Sequence, residues 1–271
     1  MSSPTIAPAP RRTTTHPFSD ALTMLGRNLT RMQRDPSQVI VVIALPVIFL
    51  LLFVYVFGNT LGAGISVSGT DGYLGYVVPG ILIIGLAASA QGTSVSVNTD
   101  MTEGIIARFR TMAIARGAVL TGHVAGAIIQ TLLGIVGVLA ISLLLGYRPA
   151  ADATDWLGVV GVLTLITFAL SWLAVAIGTF ANSATVASNM PMPLVLLPFL
   201  GSSFVPAESM PDGLRWFSEY QPFTPFIESV RSLLDGAPAG DDILATAIWS
   251  FAIAVLGYVW ALAQYNRKSI R

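Results

Sequence analysis

Long stretches without a charged residue alternate with short charged ones along this chain. The uncharged runs cover residues 36–70, 72–99, 117–147, 156–207 and 243–266. A helix needs about 20 apolar residues to cross roughly 30 Å of hydrocarbon. The first three runs and the last therefore predict one crossing each, at 39–57, 73–94, 119–145 and 244–262. The fourth run holds 52 residues, which would make a helix about 78 Å long at roughly 1.5 Å per residue. That is too long for one crossing. Asn182 and Ser183 lie at its middle, with Asn189, Pro191 and Pro193 just beyond. The pattern predicts a tight turn there, between crossings at 157–179 and 184–204. The expected fold is an all-α polytopic membrane protein with six crossings.

The remaining stretches carry patterns of their own. Residues 1–17 are rich in Pro, Thr, Ser and Ala without a hydrophobic period, as in a disordered leader. Arg11-Arg12 precedes no immediate apolar stretch, so a cleaved export signal is not expected. Over 18–34, Phe18, Leu22, Leu25, Leu29 and Met32 recur at steps of four and three, which is one helical face. Arg27, Arg31 and Arg34 fall on the opposite face. Such a helix lies in the membrane interface with its arginines toward headgroups or a partner protein. Ser19 is the expected N-cap, and Pro36 favours a break before the first crossing.

Between the second and third crossings, residues 98–116 read NTDMTEGIIARFRTMAIAR. Thr99 or Asp100 is expected to cap a short helix there. Glu103 then falls in its first turn and Arg108 and Arg110 near its end, complementing the helix dipole. Ile105, Ile106, Phe109 and Met112 form an apolar stripe. A helix presenting that ridge together with arginines suits a partner's groove; the plainer alternative is a connector resting on the membrane. Between the fifth and sixth crossings, 205–242 sets Trp216, Phe217, Tyr220, Phe223 and Phe226 among Pro206, Pro211, Pro222 and Pro225. Two short apolar segments are expected, dipping into the outer leaflet, against the alternative of an amphipathic surface loop. Glu228 and Arg231, three apart, are spaced to pair if the second segment is partly buried.

Composition agrees with a membrane protein. The 271 residues are 54% hydrophobic and 10% charged, with a mean hydropathy of +0.74, where a soluble domain runs about 25% charged. With six crossings, eleven of the 14 basic residues fall on the face shared by both termini, and only Arg148, Arg215 and Arg231 on the other. That bias predicts cytoplasmic termini. Five crossings would throw the basic C-terminal tail, 267–271, outside and spoil it.

Much chemistry is excluded. There is no cysteine, so no disulfide or thiolate site exists, and only two histidines, His16 and His123. The single lysine is Lys268, so no phosphate-cradling G-x-x-x-x-G-K-[ST] loop occurs. The expected crossings contain no Asp, Glu, Lys or Arg, whereas coupled secondary carriers commonly use such carboxylates. His123 and Gln130 share a face of the third crossing. With no acidic partner nearby in sequence, His123 reads as a packing or interfacial residue. An intramembrane serine hydrolase would need a base, and His123 is the one candidate. Ser89, Gln91, Thr93, Ser94 and Ser96 make the inner half of the second crossing polar, as interhelical glue or as a cavity lining.

Two stretches carry a family resemblance. EGIIARFRTMAIAR followed by GAVLTG resembles the cytoplasmic segment of ABC-2 permeases of the daunorubicin- and doxorubicin-resistance type. GTFANSATVASN, then LGSSFVPAESMPDGLRWFSEYQPFTPFIESVRSLLDG, resembles the same family. The likeness covers nearly all of 18–266, with one departure at Ala113, where relatives often carry proline. It implies an ABC-2 transmembrane domain in a bacterial cytoplasmic membrane, with 18–34 as a connecting helix, 100–112 as a coupling helix and 206–235 as an outer re-entrant hairpin. It implies two permeases, identical or related, paired with separate ATP-binding subunits that hold ATP and Mg, so this chain is not itself an enzyme and carries no cofactor. The coupling surface would comprise Glu103, Gly104, Ile105, Ile106, Arg108, Phe109 and Arg110. An apolar path or outer gate suits Phe49, Phe53, Phe57, Tyr73, Tyr76, Phe199 and Phe204. Crossings without a counter-ion favour lipophilic cargo, such as an antibiotic or lipid-like metabolite. The alternative is a glycan or lipid-linked polymer; a secondary carrier or enzyme fits less well, and nothing suggests a nucleic acid.

Overall fold

The computed structural model describes residues 37–58, 69–102, 116–238 and 240–268, with 25–26, 30 and 60. Among these, the elements are helical throughout: α1 Ser37–Leu51, extended by a wider π-helical turn Leu52–Phe57; α2 Gly69–Thr102; α3 Arg116–Leu144; α4 Ala153–Phe180; α5 Ala184–Asn189; α6 Met192–Leu196, continued by a 3-10 turn Leu197–Leu200; α7 Asp212–Tyr220; α8 Phe223–Leu234; and α9 Gly240–Lys268. Four stretches, Gly72–Thr102, Val119–Leu144, Ala153–Phe180 and Gly240–Tyr265, are long and apolar enough to cross a membrane. Val42–Phe57 and Ala184–Leu200 are apolar but shorter.

Local chemistry sets the helix ends. The Asp152 carboxylate accepts from the backbone N–H groups of Thr154 and Asp155, at 2.7 and 2.8 Å, and the Asp155 carboxylate accepts from the Asp152 N–H at 3.0 Å. This reciprocal cap fixes the start of α4. α3 and α8 end at Gly146 (φ 105°) and Gly236 (φ 65°), left-handed positions that glycine tolerates. The N–H groups of Tyr147 and Ala237 then reach back to the carbonyls of Ser142 and Ser232, at 3.0 and 2.8 Å. The turn expected at Asn182-Ser183 is present: α4 stops at Phe180, and the Ser183 hydroxyl accepts from the Val186 N–H to cap α5.

Two expectations need correction. The stretch 184–204 is not one continuous helix. Pro191, Pro193 and Pro198 each lack an N–H, and the chain breaks into α5, α6 and the 3-10 turn. It nevertheless runs along α2: Ala181 lies at Asn98, Ser188 at Gln91, Ser203 at Gly80 and Phe204 at Tyr73. Asn98 to Tyr73 is about 37 Å of helix at roughly 1.5 Å per residue. The second correction concerns α2, which does not stop at residue 94 but continues to Thr102. No glycine or proline falls between Gly92 and Gly104 to end it. Thr99 therefore sits inside the helix, its hydroxyl donating to the Val95 carbonyl at 3.0 Å, and neither it nor Asp100 caps a new helix. Asp100 is buried, so α2 carries an ionisable group that the charge-free reading of this crossing left out. Residues 103–115, and Arg27, Arg31 and Arg34, lie outside the described residues.

α2 is the central helix. Tyr73, Val77, Val78, Ile81, Ile83, Ile84 and Ala87 are fully enclosed, and a core of aliphatic and aromatic side chains from α1, α3, α4 and α8 surrounds them. A second core, with Val97, Leu120, Val124, Trp172 and Val175, lies toward the other end of the bundle. α9 packs along α4. Gly257 permits this contact, since a β-carbon there would fall 2.7 Å from the Leu173 nitrogen. α8 is buried on Phe223, Phe226, Ile227, Val230 and Leu234 against α2, α4 and α9. The surface-loop alternative fails for α8, whereas α7 leaves Leu214, Trp216, Phe217 and Tyr220 exposed.

Candidate functional site

At its C-terminal end α2 leads toward residues 103–115, and its last turns are tied to both neighbouring helices. The Asn98 amide donates to the carbonyls of Gly178 (3.2 Å) and Ala181 (2.8 Å), which the end of α4 leaves without helical partners. Two residues on, the Asp100 carboxylate lies 3.1 Å from His123 Nε2 of α3, with both side chains at most 5% exposed. His123 thus has the acidic partner that its sequence neighbourhood lacks. The antiparallel packing of α2 and α3 brings it from 23 residues away. In the polar half of α2, the Ser89 hydroxyl accepts from Thr131 at 2.8 Å, and the Gln91 amide donates to the Ser188 carbonyl at 2.9 Å and hydroxyl at 3.0 Å. Those two residues are interhelical glue. Thr93 and Ser96 stay half-buried, and Ser94 is enclosed.

Near the N-terminal end of α2, most of the aromatic residues singled out in sequence converge. Phe53 stacks on Phe204 with centroids 3.6 Å apart; Phe199 lies 5.2 Å from Phe49 and 5.1 Å from Phe204; Phe57 lies 5.6 Å from Phe53. The Tyr73 hydroxyl donates to the Phe204 carbonyl at 3.5 Å. Tyr73 and Phe204 are buried, whereas Phe57 is exposed. The seventh residue, Tyr76, belongs to an adjoining polar group. Arg231 of α8 lies over its ring, 3.9 Å from the centroid. The same guanidinium pairs with Glu228 and donates to the carbonyls of Ser202 (2.7 Å) and Tyr76 (3.1 Å). The spacing of Glu228 and Arg231 was legible in sequence; the carbonyl partners, 29 and 155 residues away, were not. At the cap of α8, burial holds the Asp235 carboxyl above the usual range against the opposing pull of Arg231. Among the described residues, no group of three or more His, Asp or Glu side chains is arranged to hold a metal.

Long apolar helices, a broken segment laid along the central one and a short helical hairpin ahead of α9 make up the described bundle. The sequence model of the ABC-2 type transporter family matches residues 20–234. The chain belongs to that family. An ABC-2 permease is a multi-pass membrane protein and the non-catalytic, membrane-spanning subunit of a transporter, so no catalytic centre is expected of this chain. It is 32% identical to a daunorubicin resistance ABC transporter permease protein, DrrB1, of Streptomyces coeruleorubidus, over 93% of this chain and 87% of the relative. It is 24% identical to a probable doxorubicin resistance ABC transporter permease protein, DrrC, of Mycobacterium tuberculosis, over 93% and 90%. It is also 24% identical to the inner membrane transport permease YadH of Escherichia coli, over 82% and 87%. In this ABC-2 permease the described residues thus gather polar ties at the C-terminal end of α2 and an aromatic cluster near its N-terminal end. The surface expected to meet an ATP-binding subunit, from Glu103 to Arg110, follows directly on the first of them.

Proposed function

We propose that this permease exports lipophilic small molecules, powered by a separate ATP-binding subunit that docks on residues 103–112. ATP and its magnesium are bound by that subunit. The observation that carries the reading is the aromatic cluster. Phe49, Phe53, Phe57, Phe199 and Phe204 come from both sides of the chain and meet at the outer end of the broken segment, a surface matched to apolar cargo. The relatives named for daunorubicin and doxorubicin resistance support the same cargo class. Two permease copies form the path. Thr185, Asn189, Met192 and Leu196 are exposed along α5 and α6, and an asparagine turned to hydrocarbon is costly, which favours a partner protomer and a watered path against this face.

The chain crosses the membrane six times, with 18–34 as an interfacial connecting helix carrying Arg27, Arg31 and Arg34, and with both termini in the cytoplasm of a bacterial cell. The register of 181–204 against α2 supports counting this broken segment as a crossing. Cysteines introduced singly at Ser68, Thr154 and Ala239 are expected to label from outside, and at Thr13, Thr111 and Ser269 only after permeabilisation. Outside labelling at 269 would refute six crossings.

Daunorubicin is the probe for transport. Cells making the permease with its ATP-binding subunit are expected to accumulate less of it than cells making either alone, and a protonophore added to ATP-replete vesicles should not abolish the difference. A difference that persists without the ATP-binding subunit would overturn the reading.

A further inference from the structure

We propose that Arg231 is the positioning residue of the outer gate, its guanidinium holding the unwound stretch 201–204, and with it Phe204, closed against α1 and α2 until the transport cycle releases it. The inference rests on the reading of the aromatic cluster as a gate, and deepens it.

The chain loses helical hydrogen bonding after Leu200. Irregular backbone at membrane depth persists only where other groups satisfy it. Here three side chains reach carbonyls in and after the 3-10 turn: Gln221, between α7 and α8, donates to Leu197 at 3.1 Å, Arg231 of α8 to Ser202 at 2.7 Å and Tyr73 of α2 to Phe204 at 3.5 Å. Arg231 is the only charged donor of the three, and its other bond goes to the Tyr76 carbonyl of α2 at 3.1 Å, so that it joins three segments where Tyr73 joins two. One planar fork therefore fastens α8, α2 and the unwound stretch together. The fit is close, because a β-carbon on Gly80 would lie 2.6 Å from that of Ser203.

The same region holds polar capacity that this arrangement does not use. Arg231 Nε, the hydroxyls of Ser202, Ser203 and Ser218, and Gln221 Oε1 are all buried without a hydrogen-bond partner among the described residues. A fully satisfied network rigidifies its surroundings, whereas a partly satisfied one is weaker than its groups allow. Unused donors and acceptors gathered around one unwound stretch fit a contact with a second bonding arrangement, one that is held and then released. A permanent anchor has no need of them.

The chain lacks cysteine, so a single Ser202→Cys reports the gate while leaving the Ser202 carbonyl in place. The permease, assembled with its ATP-binding subunit in right-side-out vesicles, is exposed to a membrane-impermeant maleimide with and without ATP inside. With Arg231 present, Cys labelling at 202 is expected to be slow without ATP and faster during turnover. Arg231→Ala should raise the ATP-free rate about tenfold or more, since about 1.4 kcal/mol of lost closure is one decade in the open population, and should erase the ATP dependence. Arg231→Lys, with one ammonium in place of the fork, should fall between. Reference labelling at Thr154→Cys and retention of the ATP-binding subunit report folding. If Arg231→Ala is folded and labels at the wild-type rate, or if ATP changes nothing in either background, the latch is refuted. If Arg231→Ala fails to assemble, the Arg231→Lys rate decides, and an unchanged rate refutes the latch. Labelling needs no cargo, so a gate that behaves as described in a pair that exports nothing keeps the latch and removes the export reading.

Discussion

Phe109→Ala is expected to weaken association with the ATP-binding subunit roughly thirtyfold and to abolish export, while leaving the permease inserted. Phe109 is the central aromatic of the stripe Ile105, Ile106, Phe109 and Met112. Truncating a buried interface aromatic commonly costs about 2 kcal/mol or more, and about 1.4 kcal/mol is a decade in affinity. Arg108→Glu and Arg110→Glu should have the same outcome by another route, setting acid where the helix dipole and an acidic partner both call for base. None of the three positions lies in an apolar crossing, so expression in the membrane should be unchanged. Subunit co-purification and export are to be measured together. Wild-type values for all three variants would make this segment a connector only.

His123→Ala is expected to destabilise the permease by about 3 kcal/mol, because it takes a donor from a buried carboxylate. Asp100 stays enclosed at the end of α2, and water cannot replace the imidazole freely at 1% exposure. The loss should extend to function. Asn98 and Asp100 fasten α2 to α4 and α3 immediately before the segment on which the ATP-binding subunit is proposed to dock. Loosening either tie lets that segment move without carrying the helices along. His123→Gln, which can still present an N–H toward Asp100, should recover part of both losses. Thermal unfolding in detergent, read beside the ratio of export to ATP hydrolysis, tests this. An unchanged melting temperature for His123→Ala would remove the tie from the account.

The long apolar helices were legible because charge is so scarce that its placement alone divides the chain, and the turn at Asn182-Ser183 could be read from two small polar residues in an apolar run. The exact ends were harder. α2 outruns its apolar stretch because helix continuation depends on the absence of glycine and proline, not on hydropathy, and Thr99 and Asp100 looked like caps for that reason. The fifth segment breaks because three prolines fall within eight residues, 191–198, a signal read as a turn at its start but not carried through its length. The aromatic residues were singled out one by one as lining a path, but that Phe49, Phe53, Phe199 and Phe204 meet within one chain depends on how α1 packs against the broken segment, which spacing alone does not give. The acidic partner of His123 and the carbonyl partners of Arg231 were not found, since contacts between distant helices depend on register, and a single sequence gives no register.

The central claim is that this permease works only with an ATP-binding partner, and the most direct test is to purify it, tagged, from the membranes of the organism that makes it. The account predicts an ABC ATP-binding subunit recovered in equal amount, with ATPase activity that is lost from the purified material when Phe109→Ala replaces the wild type. A folded permease recovered without any nucleotide-binding protein, and still moving daunorubicin in vesicles without ATP, would contradict it.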